Sequence, residues 1–301
     1  MSVAPRSETI LITGADSFTG RPLIERLQAT GHTVVGTTRH PTPGNLCADL
    51  MDPDSLRQLV EDAKPTAVIH LAAITFVPDE DVFTMYASNM AGTAALLKAL
   101  DDASLDLSAV VLPSSAKVYA PPAADGAAIA EDHPRLPADH YGVSKLGTEH
   151  LARLYMDRMP ITVVRPFNYT GPGQDPKFLV PKLVHAFVEN RDIEIGNLDL
   201  VRDISDIRRV VEVYTRLIDR PLPGETLNIC SGAPIRLSDI PKELEQLTGN
   251  SIKLTVNPAF LRPGEPERIV GDATKLEANL PDLPKFELRE TLASMIECIQ
   301  G

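Results

Sequence analysis

The first half of the chain alternates short apolar runs with amphipathic stretches, and this alternation constrains the fold more than any other feature. TILIT (9–13), Thr33 to Thr37, AVIHLA (67–72), AVVL (109–112) and ITVVRP (161–166) read as five strands. Arg21 to Thr30, Pro53 to Ala63, Val82 to Leu100 and Tyr141 to about Arg158 read as helices between or beside them. Gly31 ends the first helix, and Asp52 caps the second with Pro53 at its first position. Strands that are apolar throughout are buried on both faces, and strands that alternate with helices run parallel. The expected fold class is α/β: a doubly wound parallel sheet whose ligand crevice lies at the carboxyl ends of its strands.

After Pro166 the texture changes. FNYTGPGQDP is turn-rich, prolines become frequent, and helices and short strands follow less regularly. This predicts a smaller, interleaved α/β substrate-binding domain. The run ETLNICSG (225–232) again reads as a buried strand, so the chain is expected to return to the main sheet. The boundaries that follow are 1–166 with about 204–232 for the larger domain, and 167–203 with 233–301 for the smaller.

Composition excludes several function classes. A net charge of −12 argues against a general nucleic-acid binder. No apolar stretch reaches the roughly 18 residues of a membrane helix, and MSVAPRSETILITG does not read as a secretory signal. Cys47, Cys230 and Cys298 are odd in number and widely spaced, which suggests reduced thiols in a cytoplasmic protein and no metal site.

The first strand runs into Gly14-Ala15-Asp16-Ser17-Phe18-Thr19-Gly20 and then a helix. A strand, a glycine turn and a helix N-terminus form a pyrophosphate site, because backbone amides and the helix dipole favour an anion. At the first βα junction of such a chain this predicts a Rossmann-type dinucleotide site, with Ser17 where a glycine is usual. The second strand ends in Gly36-Thr37-Thr38-Arg39-His40 without the acid that would bind the ribose hydroxyl of NAD. Arg39 could hold a 2′-phosphate instead, so NADP is favoured and NAD remains possible. Asp49 and Leu50 are placed to meet the adenine.

Tyr141 and Lys145 stand four apart and share a helix face. An ammonium beside a phenol favours the phenolate and lowers its pKa. A hydroxyl such as that of Ser115 could orient a carbonyl while Tyr141 passes it a proton.

TGADSFTG, the DL of CADLMDP, HLAA (70–73), NMAGTAALL (89–97), SSAKVY (114–119), YGVSK (141–145) and RPFNYTGPGQ (165–174) follow one another in this order. As a set they resemble the extended short-chain dehydrogenase/reductases that act on nucleotide-sugars. Within that family, ITFVPDE, GPGQDPKFLVPKLV, EIGNLDLVRDISDIRRVV and LRPGEPERIVGDATKL are most similar to GDP-4-keto-6-deoxy-D-mannose reductases, which form GDP-D-rhamnose. The resemblance implies that Ser115, Tyr141 and Lys145 are catalytic. It implies cofactor contacts at Leu71, Ala72, Ala73, Asn89, Tyr141, Lys145 and Pro166. It implies nucleotide-sugar contacts at Thr75, Ser115, Asn168, Val180, Lys182, Arg202, Arg262 and Glu265, with the two arginines on the diphosphate. It also implies a homodimer through the 82–100 and Tyr141 helices, and a GDP-linked substrate.

Departures narrow the chemistry. Related 4,6-dehydratases carry an Asp-Glu pair after the catalytic hydroxyl, where this chain has Ala116 and Lys117, so water elimination lacks its acid and base. The expected reaction is NADPH-dependent reduction of the C4 keto group of a nucleoside-diphosphate 4-keto-6-deoxy sugar. There are two alternatives: a 4-epimerase that uses the same three residues and retains NAD, and a non-catalytic NADP-sensing regulator on the same fold.

Overall fold

The computed structural model describes residues 7–75, 81–122, 126–261 and 264–301. The chain forms two compact units, one of 1–120, 131–166 and 211–228, the other of 121–130, 167–210 and 229–301.

In the first unit, β1 (Thr9–Thr13), α1 (Gly20–Ala29), β2 (Thr33–Thr38), β3 (Leu46–Cys47), α2 (Pro53–Ala63) and β4 (Ala67–His70) follow in turn. Next come α3 (Val82–Tyr86), a π turn at Ala87–Ala91, α4 (Gly92–Asp102), β5 (Ala109–Pro113), a 3₁₀ turn at Ala116–Val118, α5 (His140–Arg153) and β6 (Ile161–Pro166). In the second unit lie β7 (Asn168–Thr170), α6 (Leu179–Val188), β8 (Ile193–Ile195) and β9 (Val201–Asp206). The chain passes back along α7 (Ile207–Asp219) and β10 (Thr226–Ile229). It finishes with β11 (Pro234–Arg236), α8 (Asp239–Thr248), β12 (Leu254–Val256), β13 (Arg268–Ile269), α9 (Thr274–Asn279) and α10 (Leu288–Gln300).

The main sheet has seven strands in the order β10-β6-β5-β4-β1-β2-β3. Its pairs run parallel, and Val163 and Phe167 donate to Glu225 and Ile229 in the same sense at the β6–β10 edge. The strand order reverses between β1 and β4, which makes this a Rossmann-type doubly wound sheet. Ile10, Leu11 and Ile12 are fully buried, and each such side chain contributes about 1.5–3 kcal/mol relative to exposure. Leu56, Leu59 and Val60 of α2 and Leu96, Leu97 and Leu100 of α4 close over one face together with Leu11, Val68 and Val110 of the sheet. Asp52 caps α2 through the Asp54 amide at 3.0 Å, as expected of Asp before Pro at a helix start.

The second unit is built round β9, which pairs antiparallel with β11 and parallel with β13 and β7. Val180, Leu183, Val184 and Phe187 of α6 pack with Ile240 and Leu244 of α8 and Leu292 and Met295 of α10. Asp203 of β9 is fully buried. It accepts from the Ser231 amide and hydroxyl and the Gly232 amide at 2.7–2.9 Å. Burial raises its pKa against those bonds.

Some elements differ from expectation. The helix read across 82–100 is interrupted by the π turn, where two contacts from elsewhere in the chain meet. Gly92 lies so close to Leu50 that an added Cβ would sit 2.8 Å from the Leu50 Cβ. The Asn89 side chain bonds both the amide and the carbonyl of Ile74. The strand expected to run to Ala72 stops at His70, because the Ala72 amide turns to the Thr13 hydroxyl. The helix expected to reach Arg158 ends at Arg153, and 154–158 continue as i→i−3 turns. The return to the main sheet is made by Thr226–Ile229. β3 was not anticipated; two residues carry too short a pattern to read. Among the described residues no helix is long and apolar enough to cross a membrane.

Candidate active site

The turn after β1 is shaped for a pyrophosphate. Gly14 has φ +72°, and an added Cβ would lie 2.9 Å from the Ala72 amide nitrogen. Gly20 sits closer still to the Gly14 carbonyl, where a Cβ would lie 2.5 Å from the oxygen. Ser17 is not among the positive-φ residues, so this position does not require glycine. Its hydroxyl accepts from the Gly20 amide at 3.0 Å. The N-cap Thr19 makes no side-chain capping bond and the first turn of α1 carries no acid, so the positive end of the helix dipole is available to an anion. These features fit the diphosphate of a dinucleotide.

Beside the turn lies a cavity of about 450 Å³ lined by Ala15, Asp16, Arg21 and the 42–45 loop. Arg39 is exposed at the end of β2 and is not among the lining residues of that cavity. Arg21, which lines it, was missed in the sequence; a cation directly after the last glycine of the turn was its signal. The Asp49 carboxylate accepts from the Met51 amide at 2.9 Å, and Leu50 packs on Gly92.

Tyr141 and Lys145 lie in the first two turns of α5. Asp139 starts the helix by accepting from the Gly142 amide at 2.7 Å, and its other oxygen pairs with Lys117 at 3.0 Å. Gly142 is pressed against the 3₁₀ turn, and a Cβ there would collide with the Lys117 carbonyl oxygen. Ser115 caps that same turn, accepting from the Lys117 amide at 3.2 Å. The start of α5 and the Ser115 turn are therefore held together by backbone contact and one ion pair. Gly147, farther along α5, lies under Met90 of the π turn, where an added Cβ would push the end of the Met90 side chain aside.

Lys145 is buried, with 5% of its surface exposed. Burial lowers its pKa to about 8, against the Glu149 carboxylate, which raises it. Glu149 in turn binds Arg165 through two bonds of 2.7 and 2.8 Å. Arg165 also donates to the Tyr119 hydroxyl at 2.9 Å and stacks its guanidinium over that ring. Burial works against the Arg165 charge, but the Glu149 bond and charge override it and raise its pKa. Burial also pushes the Tyr119 phenol up to about 12, against Arg165. Tyr119 completes the set by donating to Asn228 at 2.5 Å.

A second polar cluster joins β1, β4, the π turn and α5. His70 lies between the hydroxyls of Thr13 (2.7 Å) and Thr93 (3.0 Å). Asn89 donates to the Ser144 hydroxyl at 3.0 Å and grips Ile74. The structure thus brings Gly14, Leu71, Ala72, Ala73, Asn89, Ser115, Tyr141 and Lys145 into one unit, with Thr75 exposed just beyond Ile74 and Pro166 at the end of β6.

The remaining expected substrate residues lie in the second unit. Arg202 is buried and donates to the Val201 and Glu267 carbonyls and, at 2.8 Å, to Glu265. Asn168 is exposed and donates to the Asp203 carbonyl at 3.4 Å. Lys182 lies over the Phe260 ring at 4.9 Å and donates to the Glu194 carbonyl. Val180 is part of the core of its unit. Arg262 lies outside the described residues.

Residues 10–230 match the model of the NAD dependent epimerase/dehydratase family. The chain belongs to this family. Among its curated relatives is a GDP-6-deoxy-D-talose 4-dehydrogenase of Aggregatibacter actinomycetemcomitans, 36% identical over 269 residues that cover 89% of each chain. Another is a GDP-6-deoxy-D-mannose reductase of Pseudomonas aeruginosa, 29% identical over 96% of each chain. Among solved structures, RMD from Pseudomonas aeruginosa complexed with NADPH superposes with a TM-score of 0.87 at 27% identity, covering 98% of each chain. An epimerase/dehydratase fold of this kind accounts for the glycine turn, the Tyr-x-x-x-Lys helix and the returning β10 as parts of one architecture.

Proposed function

We propose that the chain reduces the C4 keto group of a GDP-linked 4-keto-6-deoxy sugar with NADPH. The observation that carries the reading is the start of α5. There Tyr141 and a buried Lys145 share one helix face, held by Gly142 against the turn that presents Ser115. The relatives that act on GDP-6-deoxy sugars and the NADPH-bound neighbour support the choice of substrate and cofactor.

When bound, NADPH supplies a hydride to C4. The chain's own residues do the rest. Ser115 donates a hydrogen bond to the carbonyl oxygen, and Tyr141 gives that oxygen its proton as charge develops there. Lys145 favours the phenolate left behind and binds the nicotinamide ribose. Arg39, with Arg21, reads the 2′-phosphate; guanidinium groups suit that dianion. The N-terminus of α1 takes the pyrophosphate of the cofactor, and Arg202 takes that of the substrate.

The two relatives differ in the configuration at the very carbon that is reduced, since 6-deoxy-D-talose and 6-deoxy-D-mannose are C4 epimers. The D-talo product is favoured by the higher identity of the talose relative, and the D-rhamno product by the motifs that resemble the mannose reductases.

The test is direct. Purified protein, NADPH and GDP-4-keto-6-deoxy-D-mannose should consume absorbance at the nicotinamide band, and NMR of the product should give its C4 configuration. No consumption with GDP-, UDP- or dTDP-linked 4-keto-6-deoxy sugars would overturn the reading. Stoichiometric NAD in the purified protein, with interconversion of 4-hydroxy epimers, would make it an epimerase instead.

We further infer a homodimer through α3 and α5, where Phe83, Val143 and, just past the end of α5, Leu154 leave 83%, 42% and 65% of their surface exposed. Light scattering after gel filtration should give twice the chain mass, and a monomer would exclude this interface.

A further inference from the structure

His70 has no assigned part in the reaction, yet it is buried and bonded at both ring nitrogens. The direction of each bond can be worked out from the neighbours. The Thr93 hydroxyl lies 2.6 Å from the Asn89 carbonyl, an acceptor with no proton of its own, so Thr93 donates there. Its one proton is then spent, and toward His70 it can only accept. Nε2 of His70 must therefore carry a hydrogen. At the other end, the Ala72 amide donates to the Thr13 hydroxyl at 3.2 Å. Thr13 in turn has one proton to give, and Nδ1 lies 2.7 Å away. The chain runs one way: Ala72 amide, Thr13 hydroxyl, His70 Nδ1, His70 Nε2–H, Thr93 hydroxyl, Asn89 carbonyl. An imidazolium would break it, because Nδ1–H would face the Thr13 hydroxyl and leave that proton without its acceptor. Burial, and then the charge of Lys145, lower the pKa of His70 to about 3.

Each end of this chain meets part of the active site. Ala72 is the residue against which Gly14 is packed, with a Cβ at Gly14 only 3.0 Å from the Ala72 Cα. Asn89 also holds Ser144, whose hydroxyl donates to the Tyr141 carbonyl at 2.7 Å.

We propose that His70, as a neutral ring protonated at Nε2, is a positioning residue that ties the glycine turn of the cofactor site to the catalytic helix. The proposal takes the cofactor site from the function proposed above. It adds a requirement on one tautomer of a residue that touches neither cofactor nor substrate. The neutral ring also adds no second positive charge near Lys145.

Two measurements test it. In protein labelled with ¹⁵N-histidine, with H70N to assign the signal, the His70 ring should show an unprotonated Nδ1 and a protonated Nε2 at neutral pH. The opposite tautomer or an imidazolium would overturn the proposal, and this readout needs no cofactor. In the second, NADPH binding is followed by nicotinamide fluorescence. H70F leaves the Thr13 proton without its acceptor and takes from Thr93 the donor at Nε2, and should weaken binding roughly tenfold. H70N, whose amide oxygen can still accept from Thr13, should restore most of the loss. T93V, which removes the link between His70 and Asn89 and leaves the ring in place, should weaken binding too, and it serves if H70F does not fold. Unchanged NADPH affinity in both H70F and T93V would overturn the positioning role. If the unmodified protein does not bind NADPH, the cofactor reading fails, and the ring-nitrogen signals still decide the direction of the chain.

Discussion

The two units treat buried charge differently. In the first, Arg165 and Glu149 leave only 2% and 4% of their side chains exposed and neutralise each other. In the second, Arg202 is almost as buried, at 8%, but its partner Glu265 is 29% exposed. Arg209 follows the same pattern, with a partner, Glu277, that is 41% exposed. A pair sealed on both sides is a permanent part of the fold, because removing one partner strands a charge at a cost of about 3–5 kcal/mol. A pair with one partner in water can be exchanged, because water resolvates the released carboxylate. The first unit seals its ion pair on both sides, whereas the second holds each of these buried cations against a carboxylate that water can reach.

This contrast can be tested at its extremes. Tyr141→Phe should lower kcat by about 10²–10⁴ while NADPH affinity is unchanged, since only the proton donor is lost. A variant with normal turnover would leave the first unit with no catalytic role. Arg202→Ala should raise KM for the nucleotide-sugar about 10–100-fold, the range for a charge-assisted bond to an anion, with NADPH binding unaffected. If NADPH binding fell equally, the division of labour between the units would be wrong. Gly142→Ala would force a Cβ onto the Lys117 carbonyl. It should cost about 1–3 kcal/mol of stability, as overpacking does, and lower kcat through the Ser115 turn. A melting temperature equal to that of the unmodified protein would show that the approach is not tight.

The smallest expected effect concerns pH. Burial holds the folded Lys145 at about 8, below its ordinary 10.5. Between those values the unfolded chain binds more protons, so this group makes stability rise with pH across that window. Activity that needs the ammonium should fall as pH rises through about 8. Glu149→Gln removes a carboxylate that raises this pKa, so the basic limb of the kcat profile should move to lower pH. A limb that stays in place would separate Lys145 from the buried ion pair.

The parts of this architecture that were legible in the sequence are those with a short repeat or a fixed spacing. Apolar runs such as TILIT and ITVVRP marked their strands, and Asp52-Pro53 marked a helix start. Tyr141 and Lys145 share a face by spacing alone. What was not legible depends on partners distant in sequence. The π turn at 87–91 leaves the apolar pattern of its helix intact; it follows from the grip of Asn89 on Ile74, 15 residues away. Arg165 sat in a strand as an apparent exception to its apolar run, and only the fold supplies Glu149. Arg202 was read as a ligand for phosphate, but nothing local announces that Glu265, 63 residues on, holds it in the meantime.

The return of β10 to the main sheet has a consequence for synthesis of the chain. β6 is a run of Ile-Thr-Val-Val whose outer edge is filled by 224–229. At about 5–20 residues per second, the roughly 60 residues between them take about 3–12 s to emerge. During that interval the nascent sheet presents an unpaired apolar edge, the kind that recruits strands from other chains. The interleaved order of the two units therefore sets a time window in which a newly made molecule is most exposed to aggregation and most dependent on chaperones.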